Sequence, residues 1–62
     1  MTTQQRQDLA DRIEAARTQL EEAMVAAEEQ ARADYAAEGV SEVQMAADFR
    51  VNRLTVRRWL GK

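Results

Sequence analysis

No helix-breaking residue occurs between Thr3 and Glu38. The chain has no proline, and Gly39 is the first of only two glycines in 62 residues. Ala, Glu, Gln, Arg and Leu dominate this segment, and all five are strong helix formers. We therefore predict a single α-helix from Thr3 to Glu38, about 54 Å long at ~1.5 Å per residue. Such a helix is too long for a compact monomer of this size.

Capping signals mark both ends of the predicted helix. Thr2 and Gln5 have the spacing of a capping box, in which each side chain accepts a hydrogen bond from the other residue's backbone N–H. Gly39 suits the left-handed position just past a helix end, and Val40 can fold back as apolar cover. These signals set the expected bounds of the helix.

Most apolar residues of this helix lie on one face, and their spacing pattern repeats every 11 residues, from Leu9 to Leu20 to Ala31. Such a repeat predicts a nearly straight or slightly right-handed seam. Chains below ~70 residues rarely bury enough core alone, so we expect a homodimer that pairs through this coiled-coil seam. The alternative is a helix that only covers the C-terminal segment. The predicted dimer contacts are Leu9, Ile13, Ala16, Leu20, Met24 and Ala27.

The charge of the chain changes sign near Gly39. Residues 1–38 carry four arginines and nine acidic side chains, a net charge of −5, whereas residues 39–62 carry five cations and two acids, a net charge of +3. This asymmetry indicates a nucleic-acid partner for the basic part. We therefore divide the chain into an acidic dimerisation helix, 1–38, and a DNA-binding segment, 39–62.

Catalytic and metal chemistry have few candidate residues. The chain lacks His and Cys, which removes the usual zinc ligands, thiol nucleophiles and histidine bases. Adjacent glutamates at 21–22 and 28–29 point in different directions on a helix, so we interpret them as a solvated face. We expect no enzyme activity, metal, cofactor or small-molecule substrate. The polar residues 1–12 and the lack of a ~20-residue apolar run predict a cytoplasmic, nucleoid-associated protein that does not enter membranes.

Two short helices are predicted after Gly39. Ser41 and Gln44 repeat the capping-box signature and start a helix that continues to about Phe49. Asn52 is a good N-cap for a second helix, which runs to Leu60. Two short helices joined by a tight turn form a helix-turn-helix. The predicted fold class is therefore all-α, a long amphipathic helix followed by a helix-turn-helix.

We expect the three helices to share one core. Ala46 is small enough for the two short helices to cross closely. The expected core side chains of the short helices are Phe49, Val51, Val56 and Trp59, covered by the last turns of the long helix around Ala27, Ala31 and Tyr35.

The stretch from Glu42 to Leu60 resembles the helix-turn-helix DNA-binding domains of bacteria and phages, especially their resolvase-type and excisionase-type members. The matching positions are Ala46, Phe49, Val51, Thr55, Val56, Trp59 and Leu60. The turn position that is usually glycine in this family is Arg50 here. A left-handed backbone at Arg50 would cost about 1 kcal/mol, or the turn has a different conformation.

The resemblance implies that the last helix enters the major groove of DNA. At ~100° per residue, Leu54 and Arg58 lie nearly opposite Val56, and Arg57 borders the same face. Arginine suits guanine edges, and an exposed leucine can meet a thymine methyl. We interpret Arg6, Arg12, Arg17 and Arg32 as surface residues. The predicted DNA contacts are Asn52, Arg53, Leu54, Thr55, Arg57, Arg58 and Lys62.

The predicted function is sequence-specific binding of double-stranded DNA by a small homodimeric transcriptional regulator of bacterial or phage type. Its two recognition helices would read half-sites ~34 Å apart. Two alternatives stay open. One is an accessory factor of recombination or excision that bends or bridges DNA. The other is a helical adaptor that binds a protein and no DNA. The sequence does not decide whether the long helices pair parallel or antiparallel.

Overall fold

The computed structural model describes residues 2–62, and it is built from three helices. These are α1 (Thr3–Glu38), α2 (Glu42–Phe49) and α3 (Arg53–Trp59). No strand occurs in the described range, which confirms the all-α prediction. None of the helices in this range has both the length and the apolar character needed to span a membrane.

Both predicted caps of α1 are formed. The Thr2 hydroxyl accepts from the backbone N–H of Gln5 at 3.2 Å, and the Gln5 side chain accepts from the backbone N–H of Thr2 at 2.7 Å. Gly39 is left-handed, with φ 63°, and its N–H donates to the Tyr35 carbonyl at 3.0 Å. Glycine takes this conformation without steric cost, so the end of α1 is set by the sequence.

The start of α2 uses half of the predicted capping box. The Ser41 hydroxyl accepts from the backbone N–H of Gln44 at 3.1 Å. The side-chain amide of Gln44 donates instead to Asp48, one turn further along α2, at 2.9 Å. An i to i+4 amide–carboxylate pair of this kind stabilises the helix in its own right.

The connection between α2 and α3 turns through Arg50, which is left-handed with φ 58° and ψ 43°. Its N–H donates to the Ala47 carbonyl at 3.3 Å, and the N–H of Val51 donates to the Ala46 carbonyl at 3.1 Å. These bonds satisfy carbonyls that the end of α2 would otherwise leave unpaired. Of the two conformations that the sequence allowed, the turn adopts the strained one.

Four buried side chains form the core, at the point where α1 meets α2 and α3. They are Ala31, Met45, Val56 and Trp59, none more than 7% exposed. The ring of Phe49 meets that of Trp59 edge to face, with centroids 5.5 Å apart. The sequence predicted Ala31, Val56 and Trp59 correctly and missed Met45. The half-buried apolar residues around the core are Met24, Ala27, Val40, Ala46, Phe49, Val51 and Leu60.

Tyr35 does not belong to this core, contrary to the prediction. Its side chain is 39% exposed, and its hydroxyl accepts a hydrogen bond from Lys62 Nζ at 2.6 Å. The physical reason is the phenol, whose polar end needs a partner or water. Tyr35 therefore attaches the C-terminal lysine to α1.

The molecule has two regions of different character. Residues 24–62 contain every buried side chain of the described range, and we call them the body. Residues 3–23 are exposed throughout, and we call this part of α1 the arm. The whole measures 52 × 18 × 16 Å, because α1 extends well beyond α2 and α3.

Candidate nucleic-acid interface

α3 has one anchored side and one free side. Val56 and Trp59 are buried against α1 and α2, whereas Leu54 is 65% exposed and both Arg57 and Arg58 are exposed. The helical period places these two sets on opposite sides of α3. The predicted outward face, formed by Leu54, Arg57 and Arg58, is thus brought together, and we call it the α3 face.

The guanidinium groups of Arg57 and Arg58 contact no partner within the part of the chain that the structure describes. Among residues 2–62, no carboxylate lies within 4.0 Å of either group, and neither side chain makes a hydrogen bond. Both arginines lie in the last turn of α3, where the helix dipole favours positive charge. The positive charges of Arg57 and Arg58 are therefore both exposed to solvent at neighbouring positions of α3.

Arg53 and Lys62 differ from Arg57 and Arg58, because both contact the carboxylate of Glu42. The Glu42 carboxylate lies 3.4 Å from the Arg53 guanidinium and 3.6 Å from the Lys62 ammonium. The Glu42 side chain is only 13% exposed, whereas that of Arg53 is 59% exposed. This carboxylate offsets part of the charge of two predicted DNA contacts.

Lys62 is held on the surface of α1 and does not project from it. Its ammonium group donates to the Tyr35 hydroxyl at 2.6 Å and lies 4.4 Å from the centre of the Tyr35 ring. The Tyr35 hydrogen bond, supported by the nearby Glu42 charge, raises the pKa of Lys62 above its ordinary value. Lys62 therefore stays charged while it joins the C-terminus to α1.

Asn52 and Thr55 serve the start of α3. The Asn52 side-chain oxygen accepts from the backbone N–H of Thr55 at 3.1 Å, which confirms the predicted N-cap. Thr55 is half-buried. The seven predicted DNA contacts therefore fall into three groups: the α3 face, the pair that contacts Glu42, and these two helix-starting residues.

Arg32, interpreted from the sequence as a plain surface residue, also has a structural role. Its Nε donates to the backbone carbonyl of Trp59 at 2.7 Å, and its Nη2 donates to Glu28 at 2.9 Å. A cation of α1 thereby satisfies a carbonyl at the end of α3. The Glu28–Arg32 spacing is visible in the sequence, but no local pattern indicates a partner 27 residues away.

The six predicted dimer contacts are divided between the two regions. Ala16 is exposed, and the large side chains of Leu9, Ile13 and Leu20 are 44%, 51% and 62% exposed. Met24 and Ala27 instead pack against the chain's own core. The apolar stripe of α1 is therefore covered by the body at one end and uncovered along the arm.

Comparison with known proteins returns no match: no family model, no curated protein and no solved structure is similar to this chain. Within residues 2–62, no group of three acidic, histidine or cysteine side chains is arranged to hold a metal ion. The geometry and charge of the α3 face make it the candidate site of this chain.

Proposed function

We propose that this protein binds double-stranded DNA through the α3 face. The observation that carries the proposal is the pair of unpartnered guanidinium groups, Arg57 and Arg58, on a helix whose other side is fixed in the core. Arginine pairs with phosphate oxygens and with the O6 and N7 edge of guanine. Since the major groove is ~12 Å wide, it admits an α-helix.

In this proposal α2, the turn at Arg50 and α3 form a helix-turn-helix, and α3 is its recognition helix. Leu54 meets a thymine methyl, while Arg57 and Arg58 contact bases or phosphates. Arg53 and Lys62 have a smaller share of the binding free energy, because each would have to give up or share its contact with Glu42. The N-cap at Asn52 sets the direction in which α3 starts.

A homodimer paired through the arm completes the proposal. One short helix offers few side chains to bases, so a single copy binds specific DNA weakly. Two linked copies hold two α3 faces in one particle, so DNA sites that can reach both faces are bound more tightly than by a single copy. The exposed leucines and isoleucine of the arm support such pairing. The role that fits best is a small DNA-binding regulator, with an accessory factor of recombination or excision as the second candidate.

Replacing both arginines of the α3 face tests the assignment. We expect Arg57→Ala with Arg58→Ala to abolish duplex binding, measured by fluorescence anisotropy across a salt series. The matched control is Arg12→Ala with Arg17→Ala, which removes the same charge from the arm. Each lost phosphate contact should also make the plot of log affinity against log salt shallower, by ~0.9 in slope. Circular dichroism and oligomer mass should be unchanged in both variants.

Two results would count against this assignment. If the α3-face variant binds duplex as tightly as the control variant, then α3 is not the recognition helix. If wild-type protein shows no salt-dependent binding to any duplex but captures a protein partner regardless of salt, the helical adaptor is the better description.

A further inference from the structure

The apolar stripe of α1 faces the same way along the whole helix. Leu20 precedes the buried Ala31 by one 11-residue repeat, and Leu9 precedes it by two. Eleven steps of ~100° leave only ~20° of drift, so all three lie within ~40° of one line. The exposed leucines of the arm therefore lie on the same side of α1 as the body.

This common side restricts how two arms can pair. Packed helices lie about 8–10 Å apart, with their apolar stripes turned toward each other. In a parallel in-register pair, both bodies would lie between the two α1 helices at the same height. Each body contains α2 and α3, so the two would need the same space. An antiparallel pair avoids this collision because the bodies lie at opposite ends.

The arm is also self-complementary in the antiparallel direction. When Leu9 lies opposite Leu20 of the second copy, Ile13 lies opposite Ala16, because the two pairs share one midpoint. A two-fold axis brings equal flanks of the two helices together, so residues just outside the stripe on one side meet their counterparts. On one flank Gln5 of each copy lies beside Ala23 of the other, since both stand ~40° from Leu9 and at nearly matching heights about the shared midpoint.

We propose that two copies pair antiparallel through residues 3–23 and that the resulting dimer bridges two DNA duplexes. The bridging part rests on the proposed function. In this register the two bodies are separated by about 33 residues of helix, or ~50 Å. The α3 face points away from α1, so the two-fold axis directs the two faces in opposite directions. A straight duplex presents its major groove to one side every ~34 Å, so it cannot fill both.

Cysteine crosslinking tests the pairing without DNA. Because the chain has no native cysteine, Leu9→Cys and Leu20→Cys introduce unique thiols. With a short bismaleimide, we expect covalent dimer in a mixture of the two variants and none in either variant alone. Covalent dimer from Leu9→Cys alone would indicate parallel pairing and overturn the proposal.

A second pair of variants leaves the stripe intact. Gln5→Cys and Ala23→Cys lie on the same flank and should give covalent dimer only when they are mixed. In a parallel pair these two positions lie on opposite flanks and ~27 Å apart along the helices, so they do not meet. This pair decides the question if cysteine at a leucine position weakens the pairing, and absence of covalent dimer from the mixture overturns the antiparallel arrangement.

Bridging is tested by sandwich capture. Beads carry a duplex selected by the chain from a random-sequence pool, and a fluorescent copy of that duplex is added with the protein. We expect wild type to capture the fluorescent duplex and Leu20→Glu to lose the capture while its single-duplex binding persists. The control is Val25→Glu, since Val25 is 55% exposed but lies ~140° around α1 from Leu20.

The outcomes separate the two proposals. Retention of wild type on the bead duplex without capture of the second duplex, or equal capture by Leu20→Glu, overturns bridging and leaves DNA binding intact. Absence of any retention refutes the proposed function, and bridging with it. The crosslinks then still decide the pairing of the arms.

Discussion

One apolar stripe of α1 runs through both the arm and the body, yet the stripe is covered in the body and exposed in the arm. In the body the stripe includes Ala31, which is 0% exposed, whereas Leu20 in the arm is 62% exposed. The difference comes from the segment after α1, since Gly39 turns α2 and α3 back over the last turns of α1 only. Periodicity in a sequence therefore predicts an apolar face, but it does not predict which element covers that face.

The largest expected effect contrasts one core residue with one arm residue. Trp59→Ala should destabilise the body by about 3–5 kcal/mol, because it removes a buried aromatic side chain and leaves a cavity. That loss is comparable to the whole stability of a small domain, so α2 and α3 should lose their order. Amide signals of residues 42–59 in NMR spectra measure this.

The arm provides the control for that experiment. Leu20→Ala should leave those signals unchanged in dilute protein, because Leu20 is 62% exposed and does not pack against the core. Equal damage from the two substitutions would mean that the division into arm and body is wrong.

A smaller gain is expected at the turn of the body. Arg50→Gly should raise the free energy of unfolding by up to ~1 kcal/mol, because glycine adopts φ 58° without the clash of a Cβ. Arg50→Ala removes the same charge but keeps the strain, so it should give no such gain. Urea midpoints compare the three proteins, and equal midpoints for the glycine and alanine variants would show that the turn stores no strain.

The smallest effect concerns the C-terminus, where the body holds Lys62. Tyr35→Phe should lower the pKa of Lys62, because the Tyr35 hydroxyl is the main cause of its upward shift. Because the pKa of Lys62 is raised in the folded state, the charged lysine stabilises the fold at pH values below its ordinary pKa. This stabilisation is lost as the pH rises through the raised pKa. Lys62 is the only lysine in the chain, so an NMR titration of its side chain gives the pKa directly. An unchanged pKa in Tyr35→Phe would rule out this hydrogen bond in solution.

The sequence predicted local features better than contacts between distant residues. The ends of α1, the N-caps at Ser41 and Asn52 and the outward position of Arg57 and Arg58 all depend on spacing within one turn or one helix. Such features are set by residues that stand close together in the chain. The predicted face of α3 was correct for the same reason.

Contacts between helices were harder to predict. Met45 was missed because the sequence indicated only its neighbour Ala46, a small residue, as the position where α3 crosses closely over α2. Tyr35 was placed in the core by its position on the stripe, although its hydroxyl bonds to Lys62. The contact of Arg53 and Lys62 with Glu42 joins three segments, and no local pattern encodes it.

The absence of any break in α1 has a mechanical consequence. A rigid rod without a hinge connects whatever holds the first twenty residues to the basic helix at the other end. The length of α1 fixes both the distance between its two ends and the angle between them around the helix axis. Adding one residue would therefore move the far end by ~1.5 Å and rotate it by ~100°. An insertion in α1 therefore keeps the α3 face on the same side of the arm only in steps that restore the phase, of which eleven residues is one.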